Sequence, residues 1–352
     1  MKHWLIFPAA FLLVIFFVFP ISTMLTQSFY NTTIETSLPL TTQQLKNGVV
    51  DYEALRQDLT DEKARKVINY INHYYPGARS LFAKTINNIQ DIDDLVEFDS
   101  RWADPGLWKV LEYETHSFTA KNYTKIFESV DSVYFKVLTQ TLIISLAITL
   151  VTVLLSYPLA YFLTTVTNRW HFVLIMFCIL LPFFTSYLSR LVAWLVLLQK
   201  NGLINQILSN FDMSLNLMYN TAGIFIGSVY IVLPMAVLPI YAAMRNIDMS
   251  LIKTGSIVGA NKYQVFRDIY FPLTKTGIYN AALLVFMTVI GFYTTPALLG
   301  GSKGKFITEQ IVYHMEVSLN WGLATALTST LLIIILIIFY FYSRANKDLY
   351  RD

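Results

Sequence analysis

The sequence predicts an all-α membrane protein with six transmembrane helices and a mainly helical insertion after the first of them. Three observations predict it. The chain is 55% hydrophobic and 14% charged, whereas soluble domains carry roughly 25% charged residues. Its mean hydropathy is +0.49, and so much apolar surface cannot be hidden in one water-facing core, so lipid must be the solvent for much of it. Apolar runs of spanning length, about 20 residues, recur at 4–25, 135–163, 172–198, 222–243, 277–299 and 321–342. The formal net charge of +3 is too weak to suggest nucleic acid. A single cysteine, Cys178, excludes an intramolecular disulfide.

The first run follows Lys2 and exits through Pro20, Ile21, Ser22 and Thr23 without a small-x-small cleavage site. It is therefore expected to be a retained signal-anchor helix, residues 1–26. Residues 27–134 hold 16 acidic against 11 basic residues and no spanning run. Thr60-Asp61-Glu62 is expected to cap a helix carrying Ala64, Val67, Ile68 and Ile71, and Asp104-Pro105 to open one carrying Leu107, Val110 and Leu111. Sequons at Asn31 and Asn122 are expected by chance alone. The core follows as five spans over 135–343, with a long loop at 245–275 and a tail at 344–352. Its only spanning-run charges are Lys136 and Arg190, near the edges where such side chains snorkel. Pro158, Pro182, Pro234, Pro239 and Pro296 predict kinks rather than breaks. The long 172–198 run is expected to span once and bend into a short interfacial helix before Asn201-Gly202.

Basic residues set the orientation. With the N-terminus inside, internal segments hold Lys2, Arg169, Arg245, Lys253, Lys262, Arg267, Lys275, Arg344, Lys347 and Arg351. Both termini are therefore expected to be cytoplasmic. Long loops cross regardless of charge, so the insertion is expected outside.

Loop 245–275 is far longer than a connection between two spans requires. Asp248 is a candidate N-cap, and Leu251, Gly255 and Val258 follow at i, i+4, i+7. Gly259 stands where a positive φ would turn the chain back. A second run, Lys262 to Phe271, is expected to stop at Pro272. The stretch GANKYQVFRDIYFPL at 259–273 resembles the cytoplasmic "EAA" loop of ABC-importer permeases. Gly259, Ile269 and Pro272 match that pattern at its spacing, Phe271 replaces a leucine, and Lys253-Thr254-Gly255 replaces the Glu-Ala-Ala triplet. FTAKNYTKIF at 118–127, YPLAYFL at 157–163, LPFFTSYLSR at 181–190, LPMAVLPIYAAM at 233–244 and TPALLGG at 295–301 resemble permeases of spermidine/putrescine-type importers. The resemblance covers 1–30 and 117–352 and leaves 31–116 as an insertion.

That resemblance implies the MetI-like fold of type I ABC importers. It also implies a cytoplasmic ATPase subunit gripping 248–273, a second permease subunit identical or related to this one, and a periplasmic solute-binding protein. Leu251, Lys253, Gly255, Val258, Gly259, Ile269 and Pro272 would form the coupling contact. Ferric iron, sulfate and phosphonate are the other solutes that such permeases suggest. A membrane sensor with a periplasmic ligand-binding domain is a different class, but only about ten residues follow Tyr342, short for a signalling domain.

No catalytic chemistry or cofactor is expected. Gly300 to Lys305 misses the phosphate-loop spacing, with Leu299 and Phe306 at defining positions. His3, His73, His116, His171 and His314 lack metal-ligand spacing. Asp91, Asp93, Asp94, Glu97 and Asp99 lack the glycine and terminal acid of a calcium loop. Polar and aromatic residues within the spans, Thr185, Tyr187, Tyr230, Tyr293, Thr294 and Thr295, are candidates for a translocation pathway, since polar groups avoid lipid.

Overall fold

The computed structural model describes residues 11–29, 34, 37–59, 68, 71–72, 75, 77–87, 99–108, 111, 120–127, 133–211, 213, 215–257, 259–301, 306–317 and 320–349. Among the described residues the regular structure is helical, with no strand. The chain divides into two compact units, Met1–Phe135 with Gln310–Ile333, and Lys136–Glu309 with Ile334–Asp352. Val258, the Thr60–Glu62 cap, the Asn31 sequon and the acidic run 91–97 lie outside the described residues.

The first unit opens with α1 (Phe11–Gln27), an apolar helix containing a π-turn at Val14–Val18. Then come α2 (Pro39–Lys46), α3 (Tyr52–Leu59) and α4 (Ala78–Asn87). Pro39 begins α2 where its missing N–H costs nothing. The next donors, Leu40 N, Thr41 N and the Thr41 hydroxyl, go to the buried Asp58 carboxylate of α3 at 3.2, 2.7 and 2.7 Å. These elements enclose a core of Leu38, Leu55, Leu59, Phe82, Trp102 and Leu107, all fully buried. Trp102 packs on Phe82 with ring centres 5.0 Å apart, and its indole donates to Thr85 at 3.0 Å. Asp104 Oδ1 accepts from Gly106 N at 2.8 Å, the N-cap role expected of it. A 27–134 stretch too polar for lipid has thus built a small aromatic core of its own.

In the same unit α5 (Lys121–Phe127) ties the first helix to the last. Asn122 donates to the Ser28 carbonyl at 2.9 Å. The Tyr123 hydroxyl meets Ser28 Oγ at 2.6 Å and Ser329 Oγ at 2.8 Å, the latter on α14 (Trp321–Leu349).

The second unit is the spanning bundle. Its elements are α6 (Val133–Thr165), α7 (Arg169–Phe184), α8 (Tyr187–Leu198), α9 (Leu203–Ser209), α10 (Thr221–Arg245), α11 (Met249–Ile257) and α12 (Lys262–Ile290), whereas α13 (Ile307–Glu316) belongs from Gln310 onward to the first unit. By length and composition five helical stretches can cross a membrane: Val133–Thr165, Tyr187–Ser209, Thr221–Arg245, Lys262–Ile290 and Trp321–Arg344. Phe11–Gln27 and Arg169–Phe184 are shorter apolar helices. The core lies along α10, where Ile224, Val232, Ala236, Val237 and Ile240 are fully buried. Pro158, Pro182, Pro234 and Pro239 all sit inside continuous helices.

The 172–198 run bends, as expected of it, and does so at Thr185–Ser186, whose ψ angles of 147° and 137° are extended, so its helical halves are α7 and α8. Two boundaries differ from the sequence expectation. The 277–299 run is not one helix: α12 starts fifteen residues earlier and ends at Ile290, and Pro296 begins a separate π-turn to Gly300. Pro272 does not stop the preceding helix. A π-turn at Phe266–Tyr270 widens the backbone before it, and the helix runs through.

Candidate functional site

Two places concentrate the candidate residues, the loop after α10 and the polar, aromatic positions around α8. In the loop, Asp248 Oδ1 accepts from Ser250 N at 2.8 Å and caps α11. Hydrogen bonds from Ser250, side chain and backbone, hold the Asp248 carboxyl below its usual range. At the other end Gly259 has φ +93°. Ala260 N donates to the Gly255 carbonyl at 3.1 Å, the six-to-one bond of a Schellman turn. Asn261 then opens α12 with a reciprocal capping box, Asn261 Oδ1 from Gln264 N and Gln264 Oε1 from Asn261 N, each at 2.8 Å. A helix, a left-handed glycine and a second capped helix thus shape the loop through local bonds, and Ile247 and Ile252 pack it against the core.

The turn folds α11 back over the start of α12. A Cβ on Gly255 would lie 2.7 Å from Ile269 Cδ1 and 3.5 Å from Val265 Cγ2. The replacement of the triplet's last alanine by glycine therefore matches the close seat of Ile269. An open groove remains between the two helices, lined by Leu251, Thr254, Gly255, Gln264, Asp268 and Ile269. Pro272, half-buried, lies beyond it inside α12.

The outward face of α11 carries Met249, Lys253 and Ile257 at i, i+4, i+8, all exposed, with Ile257 at 83%. Met249 and Ile257 are not among the residues that the sequence pattern singled out. That pattern took the stripe through Leu251 and Gly255, of which Gly255 faces Ile269. The missed signal is an isoleucine and a methionine flanking a lysine on one helical stripe.

Around α8 the structure brings together two of the six pathway candidates. The Tyr187 hydroxyl meets Thr295 Oγ1 at 2.5 Å, and Thr295 is fully buried. The Tyr187 ring packs 6.1 Å from Phe292, and the Arg190 guanidinium lies 5.8 Å from its centre. Arg190 Nε is buried with no hydrogen-bond partner among the described residues. Tyr230 instead pairs with Trp194, edge-on at 5.3 Å. Thr185 turns its hydroxyl back onto the Pro182 carbonyl. Tyr293 and Thr294 share no hydrogen bond with the Tyr187–Thr295 pair. Among the described residues no three His, Cys, Asp or Glu side chains gather as metal ligands.

A family profile described as "binding-protein-dependent transport system inner membrane component" matches residues 152–349. The chain is 32% identical over 233 residues to the spermidine/putrescine transport system permease protein PotB of Escherichia coli (strain K12), covering 65% of this chain and 83% of that protein. It is 28% identical over 223 residues to a putative ferric transport system permease protein, FbpB 1 of Haemophilus influenzae, covering 63% of this chain and 35% of that one. Among solved structures, a bacterial alginate ABC transporter crystallised with an alginate pentasaccharide-bound periplasmic protein shares the fold. The TM-score is 0.57 at 15% identity, over 66% of this chain and 83% of that one.

Proposed function

The chain belongs to the family of binding-protein-dependent transport system inner membrane components, and from that premise we propose that its solute is a polyamine such as spermidine or putrescine. It is a multi-pass inner-membrane protein, the permease subunit of an ABC importer and not itself the catalyst of ATP hydrolysis. The family leaves no place for the sensor reading. The observation that carries the solute is the 32% identity to PotB over 83% of that protein. The rings of Tyr187, Trp194 and Tyr230 within the spans, with Phe292 just past α12, supply cation–π contact suited to an ammonium group.

Partners follow from the same premise. Loop 248–273 seats a cytoplasmic ATPase, with Leu251, Lys253, Gly255, Val258, Gly259, Ile269 and Pro272 shaping the contact. A second permease subunit and a periplasmic binding protein complete the importer. Magnitudes rank the loop's contacts. Burying an aliphatic side chain such as Ile257 contributes about 1.5–3 kcal/mol, and an exposed ion pair at Lys253 roughly 0.2–1 kcal/mol. Packing on α11 decides affinity, and Lys253 tunes partner choice.

Membrane parity supports the orientation. If α7 and the stretch through α8 and α9 each crossed, the loop after α10 would emerge on the opposite side from the α6–α7 link. Taken together as one crossing, they leave six crossings, with Arg169, Arg245 and Lys262 all inside, as basic residues prefer. Arg169–Phe184, at 16 residues, is about 24 Å long, just short of the roughly 30 Å hydrocarbon core. Its continuation through the bend at Thr185 makes up the difference.

Labelled-spermidine uptake into vesicles holding the permeases, ATPase and binding protein tests the solute. Uptake that depends on ATP and is displaced by unlabelled putrescine is expected. Uptake of ferric iron, sulfate or phosphonate in its place refutes the polyamine; the similarity to FbpB 1 makes iron the second arm.

A further inference from the structure

We propose that Tyr157 and Tyr161 of α6 are positioning residues that relay movement of the ATPase-gripped helix α11 into the spanning bundle. The relay passes through the π-turn Phe266–Tyr270 and rests on the coupling role given above to loop 248–273.

The turn is gripped from two sides. On one, α11 sits so close that a Cβ at Gly255 would come within 2.7 Å of Ile269 Cδ1. On the other, Tyr161 meets Tyr270 edge-on, with ring centres 5.6 Å apart at 90°. Tyr157 meets Phe266 edge-on at 6.3 Å and 85°, and lies 6.1 Å from Phe271. Phe266 and Tyr270 stack on each other at 6.1 Å, so the two tyrosines of α6 close on a single aromatic block. The Tyr157 hydroxyl adds a bond to Thr274 at 3.3 Å, on the first turn beyond Pro272.

The physics requires such a clamp. A π-turn is a loosened stretch of helix, able to change register or bend. A push on α11 reaches α12 at Val265 and Ile269, inside or next to that loosened stretch. Unclamped, the turn would absorb the push locally and the rest of α12 would stay still. Edge-to-face rings have a preferred geometry, so a turn clamped between Ile269 and the two tyrosines transmits displacement to α6 as a packed interface does, in discrete steps.

The test uses the assembled importer in vesicles and reads solute moved per ATP hydrolysed. Tyr157→Leu and Tyr161→Leu should retain the co-purifying ATPase and its basal hydrolysis but lose about fivefold or more of the transport per ATP. Tyr157→Phe and Tyr161→Phe, which keep the rings, should stay within about twofold of wild type. Tyr270→Leu breaks the Tyr161 contact from the opposite side and serves if Tyr161→Leu does not accumulate. Leucine variants with wild-type transport per ATP overturn the relay. Phenylalanine variants as impaired as the leucine ones, or leucine variants that lose the ATPase subunit, overturn it equally. A wild-type importer that moves no spermidine refutes the solute instead, and the relay is then read from hydrolysis stimulated by the cognate binding protein.

Discussion

Two glycines of the loop are constrained in opposite ways, so their substitutions should behave differently. Around Gly259 there is open space, with nothing within 4 Å of an added Cβ, but φ is +93°. A left-handed backbone costs an L-residue roughly 1–2 kcal/mol, least for asparagine. Gly259→Val should therefore uncouple uptake with the protein still in the membrane, and Gly259→Asn should be milder; vesicle uptake alongside an ATPase pull-down checks both. At Gly255 the constraint is space, because the Ile269 side chain occupies the place of a Cβ. Gly255→Ala should reduce uptake, and Ile269→Val added to it should restore it. On the outward face, Ile257→Asp should abolish ATPase capture, whereas Lys253→Ala should cost less than about tenfold in uptake.

In the first unit, Asp99 is pulled from 3.8 to about 2, first by its hydrogen bond with Arg101, which lies 2.6 Å away. A depressed carboxyl stabilises the fold above its unfolded value, and that stability is lost as pH falls from about 4 toward 2. Thermal unfolding followed by the buried indoles of Trp102 and Trp108 should show this acid loss. Asp99→Asn should be less stable at neutral pH and flatter across that window.

Among the elements, the π-turns explain how proline is tolerated. Val14–Val18 precedes Pro20 and Phe266–Tyr270 precedes Pro272, each with one residue between. Proline lacks an N–H and its ring presses on the carbonyl four residues back, which here is that of Phe16 or Asp268, inside the turn. Widening the turn, with Phe19 N bonded to Val14 O and Phe271 N to Phe266 O, moves that carbonyl aside without breaking the helix. Pro272→Ala removes the cause. The turn should then tighten, rotating the residues before it by about 100° and carrying Ile269 away from Gly255. Uptake should fall while membrane level holds, and unchanged uptake would show that the register of this turn does not matter.

For the whole molecule, topology is the prediction on which the coupling loop depends. Reporter fusions at Arg169 and Lys262 should report the cytoplasm, and fusions near residue 80 the outside. A cytoplasmic signal at 80 would place the loop on the wrong side. The insertion lies outside the profile match at 152–349, has its own core, and carries an excess of acids. It is expected to contact the binding protein or the partner permease. Deleting 33–114 should weaken binding-protein affinity most at low salt; unchanged affinity and uptake would make it a tolerated addition.

Composition and short-range pattern alone determined that the chain lives in lipid, that 27–134 carries no spanning run, and that Asp248 and Gly259 bound a short helix. These features rest on neighbouring residues or on summed transfer energies, which a sequence carries in full. Only the tertiary structure decided where the helices break. A hydropathy window averages about 20 residues and cannot see which few backbone groups stay bonded. It joined α12 to the turn at Pro296, and the rule that proline ends a helix left Pro272 as a stop. Partner choice was equally hidden. Tyr157, Tyr161 and Phe266 are apolar enough to face lipid, a second subunit or one another. What set them together was the packing of α6 against a turn more than a hundred residues away, a contact that no local periodicity encodes.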